Sequence, residues 1–223
     1  MNVLIFGATG MVGKGVLLEC LDDARVTSVL LVSRQPIDIA HTKLTDLVHR
    51  NFFDFTNIQS KFTDMDACFF CLGVTSVGMS ETEYRRLTYD LTVVAATTIA
   101  SATAGRLTFC YVSGEGTDST ERGPTMWARI KGETENALLR LPFKAAYMFR
   151  PAYIRPLRGV RSKTWWYQLV YDALGLFYPF LRKFFPQRVT TTVNVGRAMI
   201  EVAARGHSKT ILSSIDINQL ALR

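Results

Sequence analysis

A chain of 223 residues, 48% of them hydrophobic and 20% charged, has enough apolar material for one α/β domain and too much for a disordered chain. Its net charge of +7 is concentrated. Residues 150–188 hold eight basic residues (Arg150, Arg155, Arg158, Arg161, Lys163, Arg182, Lys183, Arg188) against one acid, Asp172, and the rest of the chain carries 18 of each sign. No apolar run reaches the roughly 18 residues a membrane-crossing helix requires. The first apolar run, Val3 to Phe6, follows Met1-Asn2 directly, which predicts no secretory leader. The thiols are Cys20, Cys68, Cys71 and Cys110. Cys68 and Cys71 lie three apart on a strand-like run and so face opposite ways, and His41, His49 and His207 are scattered. Core cysteines are expected, with no metal site and a cytoplasmic location.

In chain order, Val3 to Phe6 reads as a buried strand ended by glycine, and Met11 to Leu21 has a helical apolar period. Val29 to Val32 predicts the second strand, Leu44 to Phe53 contains the third, and Ala67 to Leu72 is the fourth. A turn-rich stretch, Gly73 to Gly78, precedes a long helix from Glu81 to about Ala102. Leu107 to Val112, Trp127 to Arg140 and Ala145 to Phe149 read as strand, helix and strand, and Thr210 to Leu212 as a late strand. Continuously apolar strands alternating with helices predict a doubly wound parallel sheet of the Rossmann type, in three layers. The whole of 1–223 is expected to be one such domain, with 150–190 as a substrate-side embellishment.

The chemistry starts at Gly7-Ala-Thr9-Gly10-Met11-Val12-Gly13, which joins the first strand to the first helix. In that context Gly7 permits the tight turn, Gly10 lets backbone approach a pyrophosphate, and Gly13 lets the helix lie on the sheet. The helix N-terminus offers free N–H groups and partial positive charge to the phosphates. The bland alternative is a turn that merely uses glycine. At the end of the second strand an acid would bind the ribose 2′-OH of NAD, and an arginine would accept the 2′-phosphate of NADP. The sequence there is Val32-Ser33-Arg34-Gln35, with no acid before Asp38. Ser33, Arg34 and Thr9 therefore favour NADP over NAD; a solvated arginine is the alternative.

The Gly-x-x-Gly-x-x-Gly spacing is accompanied by Cys71-Leu-Gly-Val-Thr75, Val112-Ser-Gly114, Arg129-Ile-Lys-Gly-Glu-Thr-Glu135, Phe149-Arg-Pro-Ala152 and Arg188-Val-Thr-Thr-Thr-Val-Asn-Val-Gly-Arg197. Together these pieces resemble the extended and atypical short-chain dehydrogenase/reductases, in particular the NmrA-like proteins and the Tat-interactive-protein-like oxidoreductases. The resemblance implies an NAD(P)-binding oxidoreductase or epimerase acting on a small molecule. It implies that Asp54 and Phe55 meet the adenine, and that Leu72, Gly73 and Val74 line the ribose and pyrophosphate. It also implies that Ser113 is the active-site serine, that Lys131 binds the nicotinamide ribose, and that Arg150, Pro151 and Ala152 border the nicotinamide.

One position departs from the resemblance. The catalytic tyrosine should stand four residues before Lys131, one helical turn away, and position 127 is Trp. An indole N–H donates but does not titrate usefully, so ordinary carbonyl reduction lacks its proton donor. Tyr111, two residues before Ser113, reads as a core tyrosine or a substitute donor; Tyr84, Tyr89 and Tyr153 have no geometric warrant. The segment 150–188 also holds ten aromatics. It reads as a substrate-side lid, with membrane-surface contact or oligomer packing as alternatives and nucleic acid not expected. A monomer or homodimer is expected. The leading reading is an NADP-dependent oxidoreductase-like protein, and the alternative is a non-catalytic dinucleotide-sensing regulator.

Overall fold

The computed structural model describes residues 1–160 and 186–223. The central part of the basic aromatic segment, 161–185, lies outside the described residues, and so does the expected lid.

The sheet has seven parallel strands: β1 (Asn2–Phe6), β2 (Ser28–Ser33), β3 (Leu44–Val48), β4 (Ala67–Phe70), β5 (Thr108–Val112), β6 (Ala145–Arg150) and β9 (Ile211–Ser213). Their order is β3-β2-β1-β4-β5-β6-β9. A separate parallel pair joins β7 (Tyr153–Arg155) to β8 (Val189–Thr191). Six helices are described: α1 (Met11–Asp22), α2 (Glu81–Arg85), α3 (Leu91–Thr103), α4 (Met126–Arg140), α5 (Thr192–Arg205) and α6 (Ser214–Leu220). A π-helical turn, Arg86–Asp90, joins α2 to α3, so the long helix expected from the sequence is continuous but widened and underwound in its middle.

Alternation along the strands builds two cores. Val3, Ile5, Val29, Leu31 and Phe69 pack with Val16, Leu17 and Val195 of α1 and α5 on one face. Leu4, Phe6, Phe70, Phe109 and Tyr111 pack with Ala95, Ile99 and Leu138 of α3 and α4 on the other. Cys68 belongs to the second core, while Cys71 borders the first, as their spacing requires. No cluster of metal ligands occurs among the described residues. None of the described helices is long and apolar enough to cross a membrane.

Two glycines bring α1 and α5 into close contact. A Cβ on Gly15 would lie 2.5 Å from the Thr192 Cβ, and one on Gly196 would lie 2.9 Å from the Glu19 Cβ. This face also carries the ion pairs Arg197–Glu19 (3.0 Å), Arg158–Glu19 (2.9 Å) and Arg25–Glu201 (2.7 Å). They surround a hollow of about 290 Å³ at the C-terminal end of α1. That hollow is remote from the glycine loop and its charges answer one another, so it is not the functional cleft.

The strand order reverses at β1, which has β2 on one side and β4 on the other. A crevice outside the C-terminal ends of the strands at such a switch point is where an open α/β sheet takes its ligand.

Candidate functional site

At this switch point lies a cleft of about 580 Å³, lined by Gly7, Thr9, Val32, Ser33, Arg34, Gln35, Arg50, Phe52 and Leu72. Its wall gathers the ends of β1, β2 and β4 and the loop after β3.

The three loop glycines do different work. Gly7 has φ +85°, and a Cβ there would lie 2.7 Å from the Cys71 carbonyl carbon. A Cβ on Gly13 would lie 2.3 Å from the Gly7 oxygen. Both positions are closed by backbone, which sets the turn and seats α1 on the sheet. Gly10 has ordinary extended backbone (φ −89°, ψ 167°) and caps α1. Only the Gly7 oxygen, at 3.4 Å, would meet its Cβ. Space is therefore left in front of Gly10, where the motif needs it. The first turn of α1 has no acidic residue and no side-chain cap. In contrast, α2 and α6 carry complete capping boxes. The N-terminus of α1 thus presents uncapped N–H groups toward the cleft rim, with Met11 and Val12 half-buried beside it.

Arg34 and Ser33 stand where the sequence placed them, at the end of β2. The Ser33 hydroxyl is already committed to the Gln35 carbonyl at 2.5 Å, with the Asp46 carboxylate at 3.3 Å. It shapes the turn and holds Arg34 at the rim. Asp46, an acid the sequence reading did not weigh, also accepts from the Ile37 N–H (2.8 Å), so both its oxygens serve the β2–β3 connection. Leu72 lines the cleft, and Gly73 and Val74 follow as exposed residues.

Phe55 is 1% exposed and packed edge-on against Phe6 and Phe52, so its ring is withdrawn from the cleft, while Asp54 beside it is exposed. The Asp54 carboxylate caps its own turn, accepting from the Thr56 N–H (2.9 Å) and hydroxyl (2.7 Å); these bonds hold it below the usual carboxylate range. The aromatic on the cleft wall is Phe52. The sequence pair Phe52-Phe53 gave no sign of which ring would turn inward, because the chain has left the regular alternation of β3 by then.

The remaining predicted residues meet around Glu135, fully buried on α4, which the sequence reading quoted within a motif but gave no role. The Ser113 hydroxyl donates to Glu135 Oε1 (2.5 Å) and lies 3.2 Å from the Phe149 carbonyl. Arg150 Nε donates to both Glu135 oxygens (3.0 and 3.1 Å), and Arg150 Nη2 reaches the same carboxylate. Lys131 Nζ donates to the Ser113 carbonyl oxygen. Trp127 stands one turn before Lys131, its ring centroid 5.9 Å from Nζ. The tip of the indole packs on Gly116. Pro151 is buried, and the Ala152 N–H donates to Ser214 Oγ (3.1 Å).

The Arg150 guanidinium is held by Glu135. Ser113 is 5% exposed and has one proton, which points at acceptors only. Tyr111 offers no substitute acid: it is 1% exposed, lies in the core, and burial raises its phenol far above the ordinary value. Lys131 is half-buried, and burial, partly offset by the Glu135 charge, pulls its ammonium down to about 8.

That depression sets a pH dependence. The folded value of about 8 lies below the unfolded value of 10.5, so between them the unfolded chain binds more protons. Stability of the wild type relative to Lys131→Met should therefore rise as pH climbs from 8 to 10.5, by on the order of 1–3 kcal/mol. Urea unfolding of both proteins at pH 7.5 and 10 is the check; parallel pH profiles would show that Lys131 is not desolvated.

No family model matches the chain. Over 160 residues it is 29% identical to the protein fmp52, mitochondrial, of Emericella nidulans, a match covering 69% of this chain and 66% of that protein. Over 156 residues it is 27% identical to the protein HTATIP2 of Rattus norvegicus, covering 69% and 62%. The matched part thus spans a little under two thirds of either relative. Among solved structures, the WbmH enzyme of Bordetella bronchiseptica, in complex with NAD+, superposes with a TM-score of 0.67 at 15% identity, covering 96% of this chain and 75% of that one. Gre2 of Candida albicans, in complex with NADPH, gives 0.66 at 12% identity, covering 95% and 77%. The resemblance to the atypical short-chain dehydrogenase/reductases holds. The fold is theirs, and the HTATIP2 match agrees with the Tat-interactive-protein-like group read from the motifs.

The cytoplasmic expectation does not hold. Six fungal relatives, 24–29% identical to this chain, are named mitochondrial. Unbridged thiols do not separate the cytosol from another reducing compartment.

Proposed function

We propose that this chain is a dinucleotide-binding, oxidoreductase-like protein that prefers NADP(H) and reduces ordinary carbonyl compounds poorly. The observation that carries the binding is the glycine loop: Gly7 and Gly13 are closed by backbone, while Gly10 and the uncapped start of α1 face open space. Residues Gly7 to Gly13 would hold the pyrophosphate. Thr9, Ser33 and Arg34 would form the 2′-phosphate side, with the Ser33 hydroxyl acting on the turn. Phe52, Leu72, Gly73 and Val74 would flank the adenosine, and Lys131 the nicotinamide ribose. WbmH was solved with NAD+ and Gre2 with NADPH, so the fold admits either cofactor. Arg34 at the end of β2 supports the phosphorylated one.

The bound nicotinamide would supply a hydride. This chain's part would be to orient the acceptor and deliver a proton, and among the described residues the tyrosine expected one turn before Lys131 is replaced by Trp127. Trp127 has no titratable group, and the Ser113 proton is committed to Glu135.

Calorimetric titration of NADP+ and NAD+ tests the preference. A charge-assisted hydrogen bond contributes about 1.5–3 kcal/mol. Arg34→Ala should therefore weaken NADP+ roughly tenfold to a hundredfold and leave NAD+ nearly unchanged. Equal wild-type affinities, or an NADP+ affinity indifferent to Arg34, would defeat the claim.

A second reading, a regulator that binds the dinucleotide without turnover, is favoured by the same network. Ser113, Lys131, Glu135 and Arg150 satisfy one another, as a structural unit would. Single-turnover measurements with NADPH and a carbonyl panel separate the two readings.

A further inference from the structure

We infer that Arg50 is a second phosphate-binding residue, which closes with Arg34 on one phosphomonoester group and fixes the choice between phosphorylated and unphosphorylated cofactor. The inference rests on the NADP reading above and adds a residue that the end-of-β2 motif does not contain.

Four observations carry it. First, β2 and β3 run parallel with Ser33 beside Val48, so their C-terminal ends share one rim. Arg34 follows the last residue of β2, and Arg50 stands two residues after the last of β3. Both line the same cleft.

Second, the two side chains are free. Arg25, Arg85, Arg129, Arg150, Arg158 and Arg197 each hold a carboxylate. Arg34 and Arg50 are both exposed, and neither makes an ion pair, side-chain hydrogen bond or ring contact among the described residues. Arg122, Arg140 and Arg223 likewise show no side-chain partner among the described residues, but Arg34 and Arg50 share one cleft wall.

Third, the wall holds two cations and no acid. Asp46 accepts from Ile37 and Ser33, and Asp54 Oδ1 accepts from Thr56. A concave wall of one sign concentrates an anion.

Fourth, the loop carrying Arg50 is built rather than loose. The imidazole of His49 is buried against Phe55, with ring centroids 5.1 Å apart. Its Nε2 lies 2.7 Å from both the Asn51 and Asp54 carbonyl oxygens. Both partners are acceptors, so Nε2 carries the hydrogen. Asn51 Oδ1 accepts the Phe53 N–H (3.1 Å). The backbone of 49–54 is thereby wrapped around one ring, and Arg50 leaves it from a fixed root.

The chemistry selects a monoester over the pyrophosphate. The pyrophosphate has the α1 N-terminus at the end of β1. The Arg34–Arg50 rim lies across the cleft, at the ends of β2 and β3. A terminal phosphate with close to two negative charges and three free oxygens suits two guanidinium forks; a ribose hydroxyl satisfies neither.

The experiment uses four probes by calorimetry: NADP+, NAD+, 2′,5′-ADP and 5′-AMP. They are titrated into wild type, Arg34→Ala, Arg50→Ala and the double variant, each first shown folded by circular dichroism. Arg50→Ala should weaken NADP+ and 2′,5′-ADP by about tenfold or more, the worth of a charge-assisted bond, and leave NAD+ and 5′-AMP within about twofold. The double variant should bind the two members of each pair alike. Arg50→Lys should recover only part of the loss, because it restores charge without the fork. Equal weakening of all four probes would overturn the inference by making Arg50 a general electrostatic contributor. An unchanged 2′,5′-ADP affinity would overturn it outright. If wild type prefers NADP+ and only Arg34→Ala removes the preference, the role of Arg50 fails and the NADP reading stands. If wild type has no preference, both fall.

Discussion

Gly10→Val should abolish dinucleotide binding and leave the fold in place. The three loop glycines make this a controlled comparison within seven residues. At Gly10 the backbone is extended and any residue can adopt it; a Cβ there would touch nothing nearer than the Gly7 oxygen at 3.4 Å. The apoprotein can therefore accept the branched side chain. A phosphate cannot, because the two methyl groups would stand where its oxygens approach the first N–H groups of α1. The loss should exceed a hundredfold, since both the helix-terminus contacts and the charge interaction are removed together. Gly13→Ala should behave in the opposite way: its Cβ would lie 2.3 Å from the Gly7 oxygen, which is backbone, so α1 must move or the turn must open. Circular dichroism, thermal unfolding and NADP+ calorimetry on both variants give the result. Gly10→Val that still binds, or that unfolds like Gly13→Ala, would remove the open-space argument on which the proposed binding rests.

The same contrast explains what was legible in the sequence. Gly7, Gly10 and Gly13 could be assigned roles from spacing because backbone sterics act locally and directly. The strands could be found because parallel strands buried on both faces must be continuously apolar, as Leu4-Ile-Phe6 and Cys68-Phe-Phe70 are. Arg50 was missed because its relevance depends on register. Only pairing β3 with β2 shows that residue 50 reaches the rim where Arg34 stands. Phe52 was missed for a related reason: two aromatics three residues apart in a loop have no periodicity to separate the buried ring from the one on the cleft wall. Glu135 is the instructive case. A glutamate near the end of a helix usually faces water, yet here α4 turns it onto Ser113 and Arg150, and burial follows from two partners more than 14 positions away in the chain. The departure Trp127, by contrast, was visible without coordinates, because helical spacing from Lys131 fixes the position at which a tyrosine is needed.

Trp127→Tyr should raise NADPH-dependent carbonyl reduction measurably above the wild type. The wild-type helix face has a cation, Lys131, and an indole one turn before it, where the resemblance places a phenol. When NADPH gives its hydride to an aldehyde carbon, the oxygen gains charge and must take a proton from protein or water. A phenol at 127 would stand one turn from the Lys131 ammonium, whose positive charge favours phenolate and so makes the phenol a stronger acid. A positioned general acid contributes about 10²–10⁴-fold. The gain should lie toward the lower end, because the second donor that a carbonyl would use, the Ser113 hydroxyl, is directed at Glu135. This gives an internal control. In the Trp127→Tyr background, adding Ser113→Ala should change kcat by less than about threefold if Glu135 keeps the proton; a donor that acts on the developing oxyanion would be missed by a hundredfold or more. The readout is NADPH oxidation over a panel of aldehydes and ketones at pH 7, where Lys131 is still largely protonated. A brisk wild-type reaction that Tyr111→Phe leaves untouched would show that the proton comes from elsewhere, and the account of the missing acid would be wrong. A Trp127→Tyr protein that binds NADPH normally and remains inert would instead favour the regulator, since the network around Glu135 would then hold Ser113 and Lys131 in place for architecture alone.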